Sequence, residues 1–236
     1  MQANQASQGK DNKFDELEEI DENYLSPRTR AELASLGKDK AKQVGHYVAA
    51  ALLFLESQPE RAVIEAKKAV GIASRLASVR ELLGISAYKA GDYQLAIREL
   101  TTARRVNGQS DYLPLIADAY RGVGQPEKVF KIAGLDEIRK LDMTSHVEMT
   151  IVLAGAYADL GNFNDAQRTI THGLKLKGIS TEARLRLLEA RGTFYERAGD
   201  DEEASKVWKI TEPIRQKIDY SSETPLIVYD VLEKEA

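Results

Sequence analysis

Two segments of the chain, LLGISAYKAGDYQLAIRELTTA at 82–103 and LAGAYADLGNFNDAQRTITHG at 153–173, share one pattern: a helix rich in small residues, a Gly-Asp or Gly-Asn turn, and a second helix. Self-similarity with a period near 34 residues constrains the fold more than any other feature, because one helical hairpin cannot bury its apolar face alone and needs neighbours. The turn position recurs five times, at Ser57, Gly91, Gly124, Gly161 and Gly199, with spacings of 34, 33, 37 and 38 residues. Five residues after each turn stands Ala62, Ala96, Val129, Ala166 or Ala204, and seven before it Ala50, Gly84, Ala117, Ala154 or Gly192. Small side chains at these places let two helix backbones approach closely. That accounts for Gly inside a helix, where it otherwise costs about 1 kcal/mol against Ala. Four residues before the turns, Leu53, Ala87, Tyr120, Tyr157 and Tyr195 read as packing positions. Leu100, Ile170 and Trp208 lie four residues beyond the small residue of the second helix, so that both face inward.

The stretches AYKAGDYQLAIREL and AYADLGNFNDAQRTI resemble the tetratricopeptide repeat family in their small residue, aromatic, Gly-Asp-Tyr-like turn and following Ala, and the resemblance extends over roughly 43–218. It departs from that family in lacking a Trp near the start of every copy and in placing Pro126 after the third turn, where a first-turn proline removes only an amide that would be unpaired anyway. The layout of an acidic lead, SPRTRAEL and then repeats is similar to a group of uncharacterised bacterial tetratricopeptide proteins, a likeness that implies no activity. The expected fold is all-α, a right-handed α-solenoid of about five tetratricopeptide-like hairpins at 43–76, 77–109, 110–146, 147–184 and 185–218. An acidic tail at 1–25 and an N-terminal helix at 26–42 precede the array, and 219–236 forms a C-terminal cap or tail.

Composition narrows the function classes. Hydrophobic residues make up 43% of the chain and aromatics 7%, with Ala, Leu, Glu, Lys and Arg dominant, as long helices require. No apolar run reaches the roughly 18 residues of a membrane span, and no secretion leader is evident, so residence in the cytoplasm and no membrane partner are expected. The absence of cysteine rules out disulfides, thiolate catalysis and cysteine-ligated metals. His46, His146 and His172 stand at no metal-ligand spacing, and the glycine turns lack the Lys-Ser/Thr of a phosphate-cradling loop. No catalytic residue, metal or cofactor is expected.

Charge is distributed unevenly. Residues 1–25 hold seven acids and two bases, 26–110 fourteen bases and eight acids, and the remainder seventeen bases and twenty-two acids. The lead is polar and acidic and cannot bury enough surface to order itself, so it is expected to be disordered, with Phe14, Leu17 and Ile20 as a short docking motif and a tendency to fold back on the basic first repeats. A helix begins after Ser26-Pro27 and stops at Gly37. Val228, Val231 and Leu232 share a face that caps the last repeat or supports self-association.

The resemblance places partner-binding positions on the first helix of each copy. Carried onto this chain they are Tyr47, Phe54, Glu81, Tyr88, Lys89, Asp111, Asp118, Arg121, Glu148, Asp159, Arg186, Glu189, Glu196 and Arg197. They form an aromatic patch followed by alternating charge. The family's grip on a terminal carboxylate is not expected, since Tyr47, Ala51, Glu81 and Asp118 occupy the positions that would hold it. The acidic centre suits a basic or arginine-bearing peptide instead. The expected function is a non-enzymatic protein-protein interaction adaptor or scaffold that binds a partner segment in the groove. The alternative is binding to nucleic acid or a ribosomal surface through the basic segment 26–110, using Lys38, Lys40, Lys42, Lys67, Lys68, Arg75, Arg80, Arg98, Arg104 and Arg105.

Overall fold

The computed structural model describes residues 25–218, so the acidic lead and the 219–236 segment lie outside the described residues, as do Phe14, Leu17, Ile20, Val228, Val231 and Leu232. The described residues form helices and turns only, in two compact units that divide between Asn107 and Gly108.

The first unit opens with α1 (Pro27–Ala34), then two hairpins, α2 (Lys38–Phe54) with α3 (Pro59–Ala73) and α4 (Ala77–Lys89) with α5 (Tyr93–Asn107). Ser26 caps α1 by accepting a hydrogen bond on Oγ from the Thr29 amide at 3.1 Å, and Pro27 supplies the preset first turn. Gly37 separates α1 from α2 at φ +79°, so α2 starts five residues ahead of the boundary expected at 43.

The second unit holds α6 (Leu113–Gly122) with α7 (Glu127–Ile132), a single turn α8 (Leu135–Ile138), α9 (Met143–Asp159) with α10 (Phe163–Gly173), and α11 (Thr181–Arg197) with α12 (Asp201–Arg215). Here α9 packs against both α6 and α11, so the three first helices lie side by side. The second helix of the middle copy is the irregular part: α7 ends at Ala133 and Gly134, and the chain needs α8 before Asp142 caps α9. Leu113, Ala117, Val129, Met149, Val152 and Ala156 form one core cluster of this unit; Val147, Ala154, Ala166, Ile170, Leu187 and Phe194 belong to a second.

The turn register holds at the four glycine turns. Gly91, Gly124, Gly161 and Gly199 all take positive φ, between +71° and +77°, which a side chain resists. In each, the amide of the residue after the glycine, three beyond the helix end, reaches back to a carbonyl five residues earlier: Asp92 to Ala87, Gln125 to Tyr120, Asn162 to Tyr157 and Asp200 to Tyr195, at 2.8 to 2.9 Å. This closes off carbonyls that the helix end would leave unpaired. Ser57 has no such conformation; the first hairpin turns instead through Gln58 N–H donating to Phe54 O at 2.8 Å. That different exit shifts the phase of the helix end. Leu53, expected to pack, is 45% exposed, while Phe54 and Leu55 are buried in its place.

Candidate functional site

On the second unit the side-by-side first helices carry a charge ladder and separate charge pairs. Arg121 on α6 donates through Nη1 to Asp118 at 2.7 Å and through Nε to Asp159 of α9 at 2.7 Å. Arg197 on α11 donates to the other oxygen of Asp159 at 3.0 Å. Asp159 thus receives two arginines from opposite sides and joins three helices 38 residues apart in sequence at each step. Eleven residues earlier on the same two helices, about three turns away, Arg186 of α11 forms a bidentate pair with Glu148 of α9, at 2.9 and 2.6 Å. Arg215 of α12 binds Glu189 at 2.7 Å, and Trp208 Nε1 donates to Glu196 at 2.7 Å.

The arginine at the centre has a seat in the backbone. Gly155 of α9 lies under the Arg121 guanidinium, so that any Cβ there would overlap it. Burial works against the charge on Arg121, but its hydrogen bond to Asp159 and the charges of Asp118 and Asp159 outweigh that and raise its pKa further. Partial burial would likewise push the Asp159 carboxyl up; hydrogen bonds and charge from Arg121 and Arg197 prevail and hold it below its ordinary value.

The first unit distributes its expected groove residues differently. Glu81 is fully buried, accepting from Arg28 of α1 at 2.8 Å and from the Asn107 side-chain amide. Phe54 is buried under the Arg61 guanidinium, 4.0 Å from the ring centre. Tyr47 has Lys68 of α3 5.5 Å from its ring, and Tyr88 meets Tyr93 edge-on at 5.7 Å. Lys89 pairs with Glu56 at 2.7 Å, linking the two hairpins. Asp111, which begins the second unit's set, is exposed. The positions brought together are therefore Asp118, Arg121, Asp159 and Arg197 in one network, with Glu148–Arg186 and Glu189–Arg215 as separate pairs. Gly155 is the member that the repeat pattern does not single out. Its signal in the sequence is a glycine next to the expected small residue Ala154, with no repeat position to explain it.

Crystal structures of nearly identical TPR-like repeats of a putative kinesin light chain from Podosopora anserina superpose on this chain at 17% identity. One covers 77% of this chain and 98% of its own with a TM-score of 0.59, and another 75% and 96% with a TM-score of 0.55. The fold is that of tetratricopeptide-like repeats. YrrB, described as a TPR protein with an unusual peptide-binding site, aligns over 76% of this chain and 94% of its own at 16% identity with a TM-score of 0.46. No protein-family model matches the sequence, and no curated protein matches it. Among the described residues, no helix is long and apolar enough to cross a membrane, and no group of three or more His, Cys, Asp and Glu is placed to hold a metal ion. The ladder here links the first helices of the three hairpins of the second unit.

Proposed function

We propose that this protein is a non-enzymatic adaptor whose first-helix face in the second unit binds a segment of a protein partner, with a basic or arginine-bearing peptide as the chemistry that suits it. What supports this reading is Asp159, a partly exposed carboxylate already shared by two arginines. A peptide arginine can take the place of Arg197, whose side chain is 39% exposed, and exchange one charge pair for another with little net desolvation. Such exchange sets register and specificity more than raw affinity. Glu189 with its partly exposed Arg215 offers a second exchange point on the same unit.

The test is selection from a random peptide library on the full chain, followed by affinity measurement on wild type and an Asp159→Ala, Glu189→Ala variant. Enrichment of arginine-containing peptides that bind at least about tenfold more weakly to the variant, a difference of about 1.4 kcal/mol, supports the adaptor reading. Peptides without basic residues, or affinities indifferent to both substitutions, sink it.

A second reading, binding of nucleic acid through 26–110, draws on one observation. Lys38, Lys40, Lys42, Lys67, Arg75 and Arg105 are exposed and pair with no carboxylate of the described residues. A binding constant for duplex DNA that falls steeply with salt is the signature to look for.

A further inference from the structure

Five of these six unpaired cations of the first unit, all but Lys67, are not scattered. Because α2 and α3 form a hairpin, the start of α2 lies at the same edge as the end of α3, and the chain then turns into α4. Glu32 of α1 accepts from both the amide and the hydroxyl of Ser78 at 3.0 Å, and Arg28 reaches Glu81, so α1 also lies along this edge. Asn107, at the end of α5, meets the same Glu81. Lys38, Lys40, Lys42, Arg75 and Arg105 therefore share one edge of the unit, and all five are exposed without a carboxylate partner among the described residues.

The neighbouring acids do not answer them. Glu32, Glu65, Glu81 and Glu99 are each bound to a base or a serine of the same unit. Lys38 and Lys40 also stand in the first turn of α2, where the helix dipole disfavours positive charge and Asp39 is the one acid. This arrangement is costly unless an anionic group comes to it.

The chain itself carries one. Leu25 is buried beside Gly45 of α2, three residues past Lys42. Residues 11–22 hold Asp11, Asp15, Glu16, Glu18, Glu19, Asp21 and Glu22 with Lys13 as the one base. Fully extended, the fourteen residues 11–24 reach up to roughly 50 Å, while α2 with its 17 residues is about 25 Å long. Tethering keeps the acids at an effective concentration on the order of millimolar.

We propose that residues 11–22 dock on the basic edge formed by Lys38, Lys40, Lys42, Arg75 and Arg105, and that an external acidic partner must displace them to reach it. The inference is independent of the peptide face on the second unit. It is tested in the full chain, which has no native cysteine. A nitroxide is attached at Asn12→Cys, and the loss of amide NMR signal is mapped over the chain.

The result expected is signal loss concentrated at 38–42, 75 and 105. It should disappear near 1 M salt, where the screening length is about 3 Å. It should also disappear when the seven acids are replaced by Asn and Gln, and when Lys38, Lys40 and Lys42 are changed to Glu. Signal loss that survives neutralisation reflects mere proximity along the chain and overturns the proposal. So does loss located elsewhere or absent, whether or not the same edge takes up DNA.

Discussion

Gly84 stands so close to Leu100 that a Cβ on the glycine would lie 2.6 Å from the leucine Cγ and 3.1 Å from its backbone nitrogen. Sixteen residues separate the two, and the same offset joins Gly192 to Trp208, where a Cβ would lie 2.6 Å from the indole. The small residue of the first helix is thus matched to a large one in the second. Gly84→Leu should overpack the hairpin and cost roughly 1 to 3 kcal/mol, and Leu100→Ala should relieve part of that cost in the double variant. Thermal unfolding of the three variants measures it; purely additive effects would show that the contact does not carry the strain.

The turns should sort by backbone rather than by residue. Gly161, at φ +77°, has open space around it, so Gly161→Ala is penalised by conformation alone, by about 1 kcal/mol. Ser57→Ala touches a turn with no left-handed residue and should stay within about 0.5 kcal/mol of wild type. Denaturant midpoints for the pair decide the point.

Gly155→Ala should change its effect with the residue above it. With Arg121 present, the new methyl displaces the guanidinium from its seat and loosens its pairing with Asp159. In an Arg121→Ala background the same change meets no guanidinium and should stabilise α9 by up to about 1 kcal/mol, the helix preference for Ala over Gly. A coupling of roughly 0.5 to 3 kcal/mol in a double-mutant cycle is expected, and its absence would separate Gly155 from the ladder.

Acid should weaken the ladder through Asp159. Its folded pKa lies below the ordinary 3.8, so the native state binds fewer protons there than the unfolded chain. The stabilisation is fully present above the ordinary value and is lost as pH falls below about 4 through the depressed one. Asp159→Asn should therefore be less stable at neutral pH, with a flatter loss of stability between about pH 4 and 2. Equal slopes in urea titrations across that range would contradict the assignment.

The legible part of the fold is the part each copy dictates locally. A positive-φ turn demands glycine at one position, and a close helix approach demands a small residue seven before it, so Gly91, Gly124, Gly161 and Gly199 set the register without reference to anything distant. Leu53 misleads because that rule does not extend to a copy whose turn carries Ser57; without the glycine closure the helix leaves in another phase and Phe54 and Leu55 turn inward. The candidate residues Asp118, Arg121, Asp159 and Arg197 fall on the expected helices, but their mutual pairing depends on how neighbouring hairpins are rotated, which no single copy encodes. Glu81 shows the same limit. Its position points to a groove, and the packing of α1 across α4 makes it a buried counter-charge for Arg28.

The break between α7 and α8 bears on how the second unit opens. A helix of six residues leaves its first four amides without α-helical acceptors, so few of its hydrogen bonds protect one another. Neighbouring α9 and α10 run for 17 and 11 residues and are held along their length. Hydrogen exchange should therefore begin at 127–138 and at a free energy well short of global unfolding. In a row of coupled repeats such a site acts as a hinge in time, letting one copy breathe while Asp159 and its two arginines stay closed.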